Sequence, residues 1–157
     1  MDRSRLQQFM STRLAELPLV APVFLSPSTP VRSAVAQMRD GSCSFVLAGG
    51  PDELAGIFTE RDVLTKCMEE GFDWGEPLDR SVLTRDVRSV ASSATVGEAI
   101  ASMRQHRYRT LPVMDGSRVL GLVRLQDLLR HLAEVFPDDV LNIPPRPHQA
   151  AESREGG

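Results

Sequence analysis

Apolar positions along this chain keep two rhythms, and each change of rhythm marks an element. Leu6, Phe9, Met10 and Leu14 fall at helical spacing and predict a short amphipathic helix from about residue 4 to 15. Pro18 and Pro22 then impose extended or turn structure before a short strand at Val23-Phe24-Leu25. Ser28, Thr29 and Pro30 form a helix start, with Thr29 as cap and Pro30 in the first turn. Val31, Ala34, Val35 and Met38 give that helix one apolar face, and Asp40-Gly41 ends it. Phe45 to Ala48 is a strand, Gly49 to Asp52 a turn, and Leu54 to Phe58 a second strand that hands over to a helix at Thr59. That helix is expected to reach Glu70, with Val63, Leu64, Cys67 and Met68 inward and Gly71 as its stop.

The same plan then recurs. Gly71 to Asp86, with Trp74, Gly75 and Pro77, shows no clear period and is expected to be a connector. Ser89-Val90 is a short strand, and Thr95 with Glu98 is a capping box for a helix whose apolar face is Val96, Ala99, Ile100 and Met103. Strands follow at Thr110 to Met114 and Arg118 to Val123, and a helix at Leu125 to Val135. The two halves superpose at a fixed offset of 65. It carries Val31 onto Val96, Ala34 onto Ala99, Met38 onto Met103, and Gly56-Ile57-Phe58-Thr59-Glu60-Arg61-Asp62 onto Gly121-Leu122-Val123-Arg124-Leu125-Gln126-Asp127. The fold class is therefore α/β in the α+β sense: one strand, helix, strand, strand, helix unit written twice. The expected organisation is an N-terminal helix (1–15), a first repeat (16–70), a linker (71–86), a second repeat (87–135) and a Pro-rich C-terminal arm (136–157) whose end frays. Within that arm, Val140 to Ile143 is apolar enough to dock on a partner or on a second copy.

Composition narrows the class. The 157 residues are 41% hydrophobic and 25% charged, which suits a folded soluble chain and not a disordered one. The longest apolar run, Leu14 to Leu25, is broken by Glu16, Pro18 and Pro22 and is too short to span a bilayer. The first residues lead into an amphipathic pattern and not into a signal peptide, so a cytoplasmic protein is expected. Cys43 and Cys67 lack CxxC spacing and read as reduced thiols. The net charge of −3 argues against bulk nucleic-acid binding. Yet Arg104, His106, Arg107 and Arg109 crowd one short stretch of the second repeat, either as a solvated loop or as a local anion site.

Two explanations fit the repeated signature. Thr59 is an N-cap and Asp62 a first-turn acid that favours the helix dipole, a pairing worth about 1 kcal/mol. Alternatively, each carboxylate faces a cleft and accepts hydrogen bonds from vicinal hydroxyls, the chemistry used on ribose in dinucleotide sites. In the second repeat the cap position is Arg124, which cannot accept a backbone N–H, yet the acid persists as Asp127. An ionised Asp in the first turn opposes phosphate at that helix end, so phosphates belong against arginines. No phosphate-cradling GxxxxGK[ST] loop, no activated nucleophile and no metal spacing among His106, His131 and His148 can be assembled, and the chain is expected not to be an enzyme.

The paired units, each closing on a Gly-hydrophobic-hydrophobic-Thr/Ser-x-x-Asp signature, resemble a pair of cystathionine β-synthase-type (CBS) domains, the assembly called a Bateman module. The resemblance covers residues 15 to 135 and includes His106-Arg107-Tyr108-Arg109-Thr110-Leu111-Pro112-Val113, which is similar to the family's basic-then-LPV strand. It implies two repeats packed with pseudo-twofold symmetry around two clefts that take AMP, ADP, ATP or S-adenosylmethionine. It further implies that Asp62 and Asp127 hold ribose, that Thr59 contacts ribose or phosphate, that Leu25, Val46 and Leu111 lie near the base, and that His106, Arg107 or Arg109 lie near phosphate. Arg124 departs from the signature: it either fills the second cleft or clamps a phosphate there. The expected function is a free-standing regulatory sensor, homodimeric, without a cofactor and without a membrane or nucleic-acid partner, in which the Thr59/Asp62 cleft is the one used. The alternative is a ligand-free dimerisation module that presents itself to another protein.

Overall fold

The computed structural model describes residues 2–136. Helix α1 (Arg3–Ser11) and a 3-10 turn (Leu14–Glu16) precede β1 (Phe24–Leu25), α2 (Val31–Asp40), β2 (Phe45–Gly49), β3 (Leu54–Thr59) and α3 (Glu60–Lys66). A short helix α4 (Leu78–Ser81) leads to β4 (Val90–Ala91), α5 (Val96–His106), β5 (Thr110–Asp115), β6 (Arg118–Arg124) and α6 (Leu125–Val135). Two three-stranded sheets result, β1-β2-β3 and β4-β5-β6. In each, the first pair is parallel and the second an antiparallel hairpin, as a short strand–helix–strand crossover followed by a tight turn requires.

Each sheet is completed by the stretch of chain that precedes the other repeat. Ile57 on β3 exchanges two backbone hydrogen bonds with Thr84 (2.8 and 2.9 Å), and Leu122 on β6 does the same with Val20 (2.8 and 3.0 Å). Farther upstream, Val31 N–H donates to Glu76 O and Val96 N–H to Thr12 O, each at 2.9 Å. The cores follow this exchange. Leu78 and Val82 are buried with Val31, Val46 and Phe58, whereas Phe9 and Leu14 are buried with Val96, Leu111 and Leu128. Leu14 and Leu78 occupy equivalent places, both wholly buried.

That exchange explains the glycine that opens each signature. A Cβ on Gly56 would stand 2.6 Å from both Leu83 Cγ and Thr84 O; one on Gly121 would stand 2.6 Å from Leu19 Cβ and 3.1 Å from Val20 O. Only a residue without a side chain lets the crossing segment lie flat on the strand.

Four sequence expectations need correction. Residues 71–86 are more than a connector, since α4 and its neighbours fill the first core. Thr29 does not cap α2. The N-cap is Pro30, without a side-chain bond, and the Thr29 carbonyl instead accepts from Leu78 N–H at 3.0 Å. Helix α3 ends at Lys66 and not near Glu70, because Cys67 turns into the core and the chain leaves the helix there; Gly71, at φ +81°, lies in the following loop. Finally, Leu64 and Met68 do not face inward but are 71% and 60% exposed. The inward stripe is Val63 and Cys67, and a residue one step further round a helix points about 100° away. The Val140 to Ile143 docking segment and His148 lie outside the described residues.

Candidate functional site

The turn from β3 into α3 is held by a reciprocal capping box. Thr59 Oγ1 accepts from Asp62 N–H at 3.1 Å, while Asp62 Oδ2 accepts from Thr59 N–H at 2.9 Å and from Thr59 Oγ1 at 3.0 Å. The other carboxylate oxygen, Oδ1, accepts from Thr84 Oγ1 at 3.2 Å and pairs with Lys66 Nζ at 2.9 Å. Lys66 also donates to Val82 O (3.0 Å) and Thr84 Oγ1 (3.1 Å), so one ammonium fastens the crossing segment to the acid. Asp62 is buried, and its four acceptor positions are all engaged. Beneath it, Cys67 Sγ donates weakly to Asp62 O at 3.8 Å. Burial first, and the charges of Asp62 and Glu76 after it, raise the thiol's pKa, so it stays protonated and unreactive at neutral pH. Glu76, the other buried acid, accepts a hydrogen bond from Ser81.

A cleft of about 380 Å³ opens at this turn, within the range of small-molecule sites. The first repeat contributes Phe45, Ile57, Thr59 and Asp62; the second contributes Arg107, Tyr108, Arg109, Leu111 and Pro112. Apolar walls thus meet hydroxyl, carboxylate and guanidinium groups at one mouth. Among the residues expected from sequence, Thr59, Asp62, Leu111, Arg107 and Arg109 are gathered here. Leu25 and Val46 pack with the first core, Val46 without any exposure. His106 is the last residue of α5, with its ring 6.2 Å from that of Tyr108.

Arg124 and Asp127 line a different cleft, of about 360 Å³, with Leu17 to Val20 and residues of α6. There Arg124 Nε and Nη2 grip the two oxygens of Asp127 at 2.6 and 3.0 Å, a bidentate fork, and Arg130 Nη1 stands 3.6 Å away. Arg124 thereby holds the Asp127 carboxyl below its ordinary pKa, and its own pKa is raised by the same hydrogen bonds. The guanidinium fills the place that a hydroxyl takes at Thr59.

Sequence reasoning missed Lys66, Thr84, Arg61 and Arg88, all within or beside the first cleft. Comparing the halves residue by residue would have found Arg61 and Arg88; Thr84 arrives by the exchange of segments, which local pattern does not show. Among the described residues no three His, Cys, Asp or Glu side chains are grouped to hold a metal ion, and no helix is long and apolar enough to cross a membrane.

Comparison with known proteins agrees with the architecture. An uncharacterized protein of Methanopyrus kandleri is 32% identical over 103 residues, which is 65% of this chain and 53% of that protein, so the match spans about half the relative's length. A CBS domain protein of Pyrobaculum aerophilum, solved in complex with AMP, superposes with a TM-score of 0.65 at 20% identity, covering 78% of this chain and 99% of that one. A CBS domain pair solved with 5′-methylthioadenosine and S-adenosyl-L-methionine gives 0.66 at 17% identity, over 79% and 98%. At these identities the likeness is one of fold. The CBS domain family model matches twice, at residues 9–69 and 80–134, most of the chain and both repeats: this protein belongs to the CBS domain family, as a pair of such domains.

Proposed function

We propose that this CBS pair is a regulatory module, not an enzyme, that binds an adenosine-containing ligand (AMP, ADP, ATP or S-adenosylmethionine) in the Thr59/Asp62 cleft. One observation carries the reading: the cleft joins the first repeat's signature hydroxyl and acid to an apolar wall and two arginines of the second repeat. A purine fits between Phe45, Ile57 and Leu111, a ribose diol beside Asp62, and an anion against Arg107 and Arg109. The ligands seen in the two solved relatives, AMP in one and two adenosine thioethers or sulfonium compounds in the other, support this class.

Binding in this reading is an exchange. A ribose hydroxyl reaches Asp62 only by replacing a present partner, and the 3.2 Å bond from Thr84 is the longest of the four direct contacts. Losing it loosens Thr84 from the edge of β3, so the ligand and the 76–84 segment compete for one carboxylate. That competition gives the two states different affinities, which a ligand-driven change requires.

The same saturation of Asp62 favours a second reading, a ligand-free interaction module in which Thr59 and Asp62 only cap α3. A thermal-shift series with the four compounds separates the two. A ligand at about a hundred times its dissociation constant stabilises by about 2.7 kcal/mol, or about 5 to 11 °C for a chain of this size. Because Asp62→Asn disturbs the cap as well, Ser44→Trp, at the exposed rim of the cleft, is the companion variant. A shift lost in Ser44→Trp supports the nucleotide reading. No shift at millimolar ligand leaves the interaction module. In either reading we propose a cytoplasmic homodimer. Leu64 and Leu129, equivalent residues of α3 and α6, are both largely exposed and give a second copy a surface to cover, and a monomeric mass at micromolar concentration would count against it.

A further inference from the structure

We propose that the Thr59/Asp62 cleft selects ligands carrying two or more phosphoryl groups, so that among adenosine compounds it takes the di- and triphosphate ahead of the monophosphate and of S-adenosylmethionine. This rests on the nucleotide reading above and narrows it.

Four guanidinium groups line the cleft from three separate stretches: Arg61 on α3, Arg88 ahead of β4, and Arg107 and Arg109 after α5. Among the described residues none of the four side chains is engaged in an ion pair or a hydrogen bond, whereas Arg39, Arg118 and Arg124 each have an acidic partner. The carboxylates at the same mouth are Glu60, Asp86 and Asp62, and the last is already paired with Lys66. One or two bidentate guanidiniums satisfy the free oxygens of a phosphate monoester. Four, supplied from different sides, need a longer anion to reach them all. A sulfonium centre brings positive charge to the same place and is disfavoured there.

Comparison of the two halves shows that these cations are not a by-product of the fold. At the offset of 65, Arg61, Arg88, Arg107 and Arg109 correspond to Gln126, Val23, Ser42 and Ser44, none of them charged. The turns themselves are the same: Ser42 and Arg107 both take the left-handed conformation, at φ 49° and 58°. Nothing in the backbone of that turn calls for a long side chain, and glycine would be the residue most at ease in it. The arginines are therefore placed at one cleft by side-chain choice alone.

Calorimetric titration of the full chain with ATP, ADP, AMP, S-adenosylmethionine and inorganic tripolyphosphate tests this. ADP and ATP are expected to bind at least about tenfold more tightly than AMP, the worth of one charge-assisted contact. That advantage should shrink as salt rises from about 0.05 to about 0.5 M. The double variant Arg107→Ser with Arg109→Ser, which copies the other turn at two exposed positions, should bring ATP down to the level of AMP while AMP changes less. AMP or S-adenosylmethionine binding as tightly as ATP, or an ATP to AMP ratio unmoved in the double variant, would overturn the inference while leaving the nucleotide reading intact. Tripolyphosphate binding without any adenosine compound would overturn the nucleotide reading and with it the ranking of adenosine compounds. Silence from all five compounds would overturn both.

Discussion

At Asp62 the carboxylate is shared among a threonine of its own turn, a lysine one helical turn on, and a threonine that arrives from beyond the repeat; at Asp127 a single arginine three residues earlier takes both oxygens. The strand and the turn around the two acids are alike, although α3 has seven residues and a capping box where α6 has eleven and no side-chain cap, and the two acids differ in who satisfies the charge. In the first repeat the acid is wired to residues 82–84 and, through them, to the edge of β3. In the second its partners, Arg124 and Arg130, are neighbours in sequence, and the crossing segment at Val20 offers it no hydroxyl. One fold thus carries one acid that reports on a distant stretch of chain and one that is self-contained. On the proposed reading, a ligand at the first cleft would therefore have a structural consequence that a ligand at the second would lack.

The two repeats should be most alike where their crossing segments lie on the signature glycines, and the largest effects are expected there. Gly56→Val drives a branched side chain to 2.6 Å from both Leu83 Cγ and Thr84 O, and Gly121→Val drives one to 2.6 Å from Leu19 Cβ, distances no Cβ tolerates. Overpacking of this kind costs about 1 to 3 kcal/mol or more. Thermal unfolding should show both variants several degrees below the parent. If only one glycine proved sensitive, the exchange of segments would not be equivalent in the two halves.

A smaller effect should set the halves apart. Lys66→Met leaves Asp62 buried without its cation; because the Lys66 side chain is 34% exposed, water relieves part of the cost, and about 1 to 2 kcal/mol is expected. The equivalent residue, His131, leaves Asp127 alone and stacks on Phe9 with ring centroids 5.5 Å apart, a contact that a methionine thioether can replace, so His131→Met should cost less than Lys66→Met. Hydrogen exchange sharpens the comparison further. Amides of residues 82–84 should lose protection in Lys66→Met, and the Val20 amide, which donates to Leu122 O, should keep its protection in His131→Met. Equal behaviour would mean that Asp62 is as self-contained as Asp127.

Much of this was legible in the sequence because the repeat is local. Helical spacing and the 65-residue offset located the two crossovers, the hairpins and the Thr95/Glu98 capping box, which the structure retains. The exchange of segments was not legible, for a physical reason: the segments that complete each sheet correspond at an offset of 64, Leu14 with Leu78 and Val20 with Thr84, one residue out of step with the repeats they serve. Short extended pieces with a single wholly buried leucine also carry no period to detect. At the site, Thr59, Asp62, Leu111, Arg107 and Arg109 could be named because they belong to contiguous motifs. Lys66 and Thr84 could not, since their role depends on a meeting of chain stretches 18 residues apart. Leu64 was misplaced because α3 is short of two full turns, too little for spacing to fix which face is buried, and Met68 because it lies beyond the helix end at Lys66.

The smallest expected effect concerns acid. Arg124 keeps the Asp127 carboxyl below its ordinary pKa in the folded chain, and an unfolded aspartate titrates at about 3.9. The fork's stabilisation is therefore complete at pH values above that unfolded pKa and is lost as the pH falls through the lower folded value, where Asp127 takes up a proton in both states. Asp127→Asn should accordingly be less stable than the parent at pH 6, with the two stability curves converging as the pH falls through the lowered folded pKa. The pair is partly exposed, at 34% and 23% for the two side chains, so the gap at pH 6 should be at most about 1 kcal/mol. Arg124→Thr, which gives the second signature the hydroxyl of the first, removes the cause of the shift and should flatten the same acid limb while supplying a side-chain cap to α6 worth up to about 1 kcal/mol. Urea titrations at pH 6 and at successive steps down the acid limb read both effects. An acid limb unchanged in Arg124→Thr would show that the fork does not hold the Asp127 proton, and the contrast between the two acids would then reduce to the crossing segment alone.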